Sequence, residues 1–148
     1  MEPLRLVFDL DPALLRRARQ ELARWLNASG VAPPQADDLV LAVHEALANA
    51  VEYGRRGTQV TLRGRADAEG VTLVVSNRGP WKRQREDRGR GRGLTVMRSL
   101  ATECDVRVGR EATTVLIRKA VRLGAPLLTR GGQDGERGGD GAGPAGVG

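Results

Sequence analysis

Two pairs of β-favouring runs, each joined by a connection of hairpin length, constrain the fold of this chain more than any other feature. Val60-Thr61-Leu62-Arg63-Gly64-Arg65 and Val71-Thr72-Leu73-Val74-Val75 flank Asp67-Ala68-Glu69-Gly70. Val106-Arg107-Val108 and Thr114-Val115-Leu116-Ile117-Arg118 flank Gly109-Arg110-Glu111-Ala112. Connections this short join neighbouring antiparallel strands. With Leu4-Arg5-Leu6-Val7-Phe8 as a further strand, the order reads strand, two helices, two strands, helix, two strands. This order predicts an α+β two-layer sandwich, with helices on one face of a mixed, mostly antiparallel sheet.

The first helix is expected from Leu14, Leu15, Ala18, Leu22, Trp25 and Leu26, which keep helical spacing to about Asn27. Asp9 or Asp11 offers an N-cap, Pro12 suits the first helical position, and Ser29-Gly30 ends the run. Pro33-Pro34 reads as a stiff connection, with Asp37 or Asp38 in the first turn of the next helix. That second helix stops at Gly54. It contains Leu41-Ala42-Val43-His44-Glu45-Ala46-Leu47-Ala48-Asn49-Ala50-Val51, rich in strong helix formers. Leu39, Val43, Leu47, Ala50 and Val51 make its core stripe.

Glu45 and Asn49 stand four residues apart and project from one face, one turn apart. Their neighbours there are Leu41, Ala42, Ala46 and Ala48, so the helix is apolar nearly all round, the mark of a buried helix. A carboxylate and an amide cost free energy in such a place unless something pairs with them. One reading is a capped or solvent-facing pair, although a solvated face normally carries Lys and Arg as well. The sharper reading is a site, where Glu45 handles a proton and Asn49 coordinates a hard cation through its carbonyl oxygen. His44, the single histidine, points elsewhere on the helix and reads as structural or surface.

The chain of 148 residues suits one domain over 1–123, with a disordered Gly-rich tail over 124–148. Aromatics are only 3% of the residues, so the core must be built from Leu, Val and Ala. Cys104 has no internal partner and reads as a small buried hydrophobe. With no signal peptide and no apolar run long enough to cross a bilayer, the expectation is a cytoplasmic protein without membrane contact. The net charge of +6 suits a polyanion, either nucleic acid or a nucleoside triphosphate.

Two further motifs favour the triphosphate. Ser76-Asn77-Arg78-Gly79-Pro80 ends an apolar strand, and its glycine lets a flat ring approach the backbone. Arg88-Gly89-Arg90-Gly91-Arg92-Gly93-Leu94 feeds directly into the third helix, whose free N–H groups and dipole make an anion site. No Gly-Lys-Ser/Thr follows, so it is not a P-loop. An arginine–glycine RNA-binding segment is the rival, but such segments are usually longer and unstructured. Direct nucleic-acid binding therefore ranks last.

Together these residues resemble the ATP-binding domain shared by gyrase, heat-shock chaperone ATPases, histidine kinases and mismatch-repair ATPases. Within that superfamily the likeness is closest to the small bacterial anti-sigma-factor serine/threonine kinases. Their box Ala-Val-x-Glu-Ala-x-x-Asn-Ala-Val is matched over 42–51, and their Asp-x-Gly by Asn77-Arg78-Gly79, with Trp81 after it. Their Gly-x-Gly-Leu is matched by Gly91-Arg92-Gly93-Leu94, and their Gly-Thr-Thr-Val by Ala112-Thr113-Thr114-Val115. The likeness covers about residues 4–121.

The resemblance implies that ATP lies between the second helix, the sheet and the loop. Asn49 would ligate Mg²⁺ on the phosphates, and Glu45 would orient or deprotonate the attacking hydroxyl. The amides of Gly91, Gly93 and Leu94 would cradle phosphates, with Arg90 and Arg92 neutralising charge. Asn77 and Gly79 would face the base, and Thr113 or Thr114 would help bind adenine. The implied partners are a sigma factor, held by the kinase, and an antagonist protein carrying the phosphorylated Ser or Thr. Relatives commonly form homodimers.

Three positions depart from the family pattern. Asn77 replaces the adenine-reading Asp and loses a charge-assisted bond, Ala112 replaces a Gly and is expected to crowd the adenine pocket, and Tyr53 stands where relatives often carry His. The first departure supports the alternative of a non-catalytic module that sequesters a partner.

Overall fold

A computed structural model describes residues 1–79 and 92–124. Five strands and three helices are arranged as β1 (Leu4–Asp9), α1 (Leu14–Ala28), α2 (Pro33–Tyr53), β2 (Gln59–Asp67), β3 (Gly70–Arg78), α3 (Arg92–Leu100), β4 (Glu103–Val108) and β5 (Ala112–Lys119). The sheet order is β1-β2-β3-β5-β4, and all four pairings among the described strands are antiparallel. The expected α+β sandwich is therefore the observed one. Residues 125–148, most of the expected tail, lie outside the described residues.

Alternation sorts the strands into two faces. Val60, Leu62, Val71, Leu73, Val75, Val115 and Ile117 are buried, while Arg63, Arg65, Arg78 and Ala112 are exposed. The buried set joins Leu22 and Leu26 of α1, Leu39, Val43 and Leu47 of α2, and Met97 of α3 in one core. Side chains of this size, fully buried, each stabilise the fold by roughly 1.5–3 kcal/mol. α2 is the central element, packed on α1, α3, β3 and β5 at once. That explains why Ala42, Ala46 and Ala50 are buried as completely as Leu39 and Leu47: small side chains let several neighbours approach one helix.

The elements differ from their expected form in three places. Pro33 and Pro34 are not a connection but the first turn of α2, where a missing N–H costs nothing and φ is already helical. Asp37 and Asp38 consequently fall in its second turn. Asp38 there accepts an ion pair from Lys119 of β5 at 3.4 Å. Asp11 does act as a cap, but for a turn preceding α1: its carboxylate accepts from Ala13 N at 2.8 Å. Finally, α2 is not buried all round. Leu41 is 45% exposed, and Val51 is only half-buried.

Lys119 also fixes α3. Its ammonium donates to the Leu100 carbonyl at 2.8 Å, so the last turn of α3 and the second turn of α2 share one lysine.

Cys104 lies half-buried on β4. Burial pushes its thiol up from the ordinary value; Arg98 pulls the other way, and Asp105 adds to the rise. Two outcomes are expected. Leu47→Ala should cost about 2–5 kcal/mol in denaturant unfolding, whereas Leu41→Ala should stay within about 0.5 kcal/mol. Cys104 should alkylate more slowly at pH 8 in the folded protein than after unfolding in urea, because a raised pKa leaves less thiolate.

Candidate functional site

The lower end of α2 meets the ends of β3 and β5 in one corner. Gly54 closes α2, donating its N–H to the Ala50 carbonyl at 2.8 Å. Its φ of −75° is ordinary, so glycine is required here for space and not for backbone conformation. A Cβ would stand 2.5 Å from the Ala50 oxygen, 2.8 Å from the Asn77 side-chain nitrogen and 2.8 Å from Leu10. Asn77 thus packs against the helix terminus, and its amide donates to the Arg78 carbonyl at 3.0 Å. It is buried, as is Thr113, its direct partner across β3 and β5.

Gly79 completes the corner. Its φ of +84° favours glycine, its N–H donates to the Glu111 carbonyl at 2.7 Å, and its own carbonyl accepts from the Thr113 hydroxyl at 3.1 Å. Arg55 N donates to the Arg78 carbonyl at 3.2 Å, which ties the chain after α2 to the same loop. Three backbone segments far apart in sequence therefore meet at Asn77, Gly79 and Thr113. Tyr53, the last residue of α2, is buried close by in the chain.

Thr114 is not brought to this corner. It alternates with Thr113, pairs with Ser76 and borders a hollow with Thr61, Arg63 and Val74 on the outer face. Ala112 is likewise exposed on the side opposite Thr113. Its methyl faces away from the corner, so the expected crowding there does not arise. An open cleft of about 830 Å³ borders Asp9, Thr58, Gln59, Ser76, Arg78 and Glu111, and Asn77 of the corner also lines it. The cleft therefore reaches the corner at Asn77, while Glu45, Asn49 and Thr113 do not line it.

Glu45 and Asn49 sit one turn apart in the middle of α2 and are half-buried. Among the described residues neither side chain has a hydrogen-bond or ion-pair partner. They remain available to a ligand. Arg92, Gly93 and Leu94 form the first turn of α3, a helix that packs on α2. The expected positions Arg90 and Gly91, like Trp81, lie outside the described residues. The free amides of a helix N-terminus are suited to an anion.

One feature beside the pair was not read from the sequence. His44 lies beside Glu45 at a depression of about 360 Å³ between α1 and α2, together with Arg19, Asp37, Val40 and Leu41. Its Nδ1 is buried and has no partner among the described residues. Neighbouring positions on one helix do not face each other, but a broad depression takes in both. The signal for it lay in Leu41, an apolar residue whose side chain the core does not need.

The described residues bring together no group of three His, Cys, Asp or Glu side chains suited to a metal. A single Asn carbonyl is the sparse ligation that Mg²⁺ accepts when water and phosphates complete its shell. The residues present therefore fit a Mg²⁺–nucleotide and not a metal held by protein alone. No helix among them is long and apolar enough to cross a membrane.

Residues 8–119 match the family model of the histidine kinase-like ATPase domain. The fold is also similar to a solved structure of the RsbU and RsbW domains of Rv1364c from Mycobacterium tuberculosis. The TM-score is 0.67 at 25% sequence identity, over 84% of this chain and 34% of that one. The chain thus spans about a third of the length of the protein it resembles. It belongs to the histidine kinase-like ATPase domain family.

Gly54→Ala isolates the steric demand of the corner. It is expected to cost about 1–3 kcal/mol in chemical denaturation, because the nearest obstacle is a helix carbonyl that cannot swing aside.

Proposed function

We propose that this member of the histidine kinase-like ATPase family is an anti-sigma-factor serine/threonine kinase, which transfers the γ-phosphate of ATP to a protein hydroxyl and sequesters a sigma factor in the cytoplasm. The observation that carries this reading is the unpaired Glu45 and Asn49, one turn apart on the helix that packs on α3 and ends at the buried Asn77–Thr113 corner.

In this reading the adenine rests on the corner of Asn77, Gly79 and Thr113. The phosphates extend toward the first turn of α3, where the amides of Gly93 and Leu94 and the charge of Arg92 meet them. Arg90 and Gly91 belong to the same loop. Asn49 is the protein ligand for Mg²⁺, which supplies charge neutralisation on the phosphates. Glu45 accepts the proton of the attacking Ser or Thr hydroxyl, or holds that hydroxyl in line. The depression lined by Arg19, Leu41 and His44 opens on the same carboxylate, and gives an antagonist's acceptor segment a way to reach it.

Asn77 also supports a second reading, in which the chain binds a partner without transferring phosphate. A neutral amide bonds the adenine amine with roughly half the strength of a carboxylate. Calorimetric titration with Mg²⁺-ATP separates the two. The kinase reading expects binding that Asn49→Ala weakens by about tenfold or more. Glu45→Gln should leave that affinity unchanged and lower transfer to a purified antagonist protein by about 10²–10⁴-fold. Binding that appears only in Asn77→Asp would favour the sequestering module.

A further inference from the structure

We propose that the outer face of the sheet is a docking surface for an extended acidic segment of a partner protein. Arg5 of β1 and Arg63 of β2 are direct cross-strand neighbours, and Arg65 lies two residues further along β2 on the same face. Like charges placed directly opposite each other destabilise a sheet. Among the described residues none of the three has an ion-pair partner. Of the carboxylates on and beside this face, Glu69 pairs with Arg118 at 3.4 Å, Asp105 of β4, three strands away, pairs with Arg107 at 2.9 Å, and Asp67 of β2 accepts from Glu69 N at 2.8 Å.

The three arginines line one groove of about 430 Å³, whose remaining surface comes from Pro3, Leu4, Gly64, Thr72 and Val74. An uncompensated positive rim over a mainly apolar floor selects a ligand with carboxylates and aliphatic carbon. Spacing selects its conformation. Alternate residues of an extended chain repeat about every 6.6 Å, so a peptide running along β2 presents carboxylates in step with Arg63 and Arg65. Each guanidinium can take a carboxylate through two parallel bonds. Nucleic acid is disfavoured because this face carries no aromatic side chain among the described residues on which a base could stack. The groove is on the far side of the sheet from α2, so this proposal stands apart from the nucleotide reading.

Fluorescence anisotropy with a fluorescein-labelled peptide alternating Glu and Thr tests it. The native chain should bind this peptide at low ionic strength. Replacing its Glu by Gln, or the protein's arginines in R63E/R65E, should weaken binding by about tenfold or more. Circular dichroism checks that the variant folds, and Arg63→Gln serves if it does not. Mg²⁺-ATP affinity should be the same in the variants and the native chain. The proposal is overturned by absence of peptide binding, by binding indifferent to the substitutions, or by tighter binding of labelled oligothymidylate. Sedimentation showing a native dimer that R63E/R65E dissociates would also overturn it, by assigning the face to a second copy.

Discussion

Everything in this domain depends on α2 being enclosed. A helix that contacts two other helices and two strands cannot carry bulky side chains on every buried position, and Ala42, Ala46 and Ala50 supply the close approach while Leu39, Val43 and Leu47 fill the space between layers. This packing makes α2 the rigid reference to which the rest is registered. Half-buried polar groups along such a helix have little freedom to relax toward one another. Glu45 and Asn49 are therefore held ready and apart, which is the preorganisation that the proposed phosphoryl transfer requires.

Two fastenings at opposite ends of α2 give that rigidity its consequence. At one end Lys119 spans from β5 to Asp38 and to the last carbonyl of α3. At the other, Gly54 admits Asn77 against the helix terminus, and the loop of Gly79 is tied to Glu111, Thr113 and Arg55. The first ties the last turn of α3 to the second turn of α2, and the second builds the buried polar corner.

Much of this was legible in the residues. The hairpin connections and the alternation of Val60, Leu62, Val71, Leu73 and Val75 foretold both the antiparallel sheet and its buried face. The run around Glu45 foretold a helix and a polar pair of the right spacing. What could not be read depended on long-range contact. Whether Asp38 sits in the first turn of a helix or meets a lysine from the last strand is decided by topology. So is the side on which Thr113 and Thr114 fall, since a strand register offset by one residue would exchange them. The proline pair misled because the same restricted φ suits both a stiff connection and a first helical turn. Leu41 misled because apolarity records what a side chain avoids and not which surface receives it.

The contact between Gly30 and Gly124 carries a topological consequence. Gly30 has a φ of +86°, its carbonyl accepts from Gly124 N at 3.0 Å, and a side chain on it would strike the Gly124 carbonyl. The end of the domain is therefore clasped to the turn between α1 and α2, at the pole opposite the Asn77–Thr113 corner. Whatever polypeptide is joined beyond residue 124 begins its path from that distant pole. A reporter or neighbouring domain fused there would share the molecule without standing at the mouth of its polar corner.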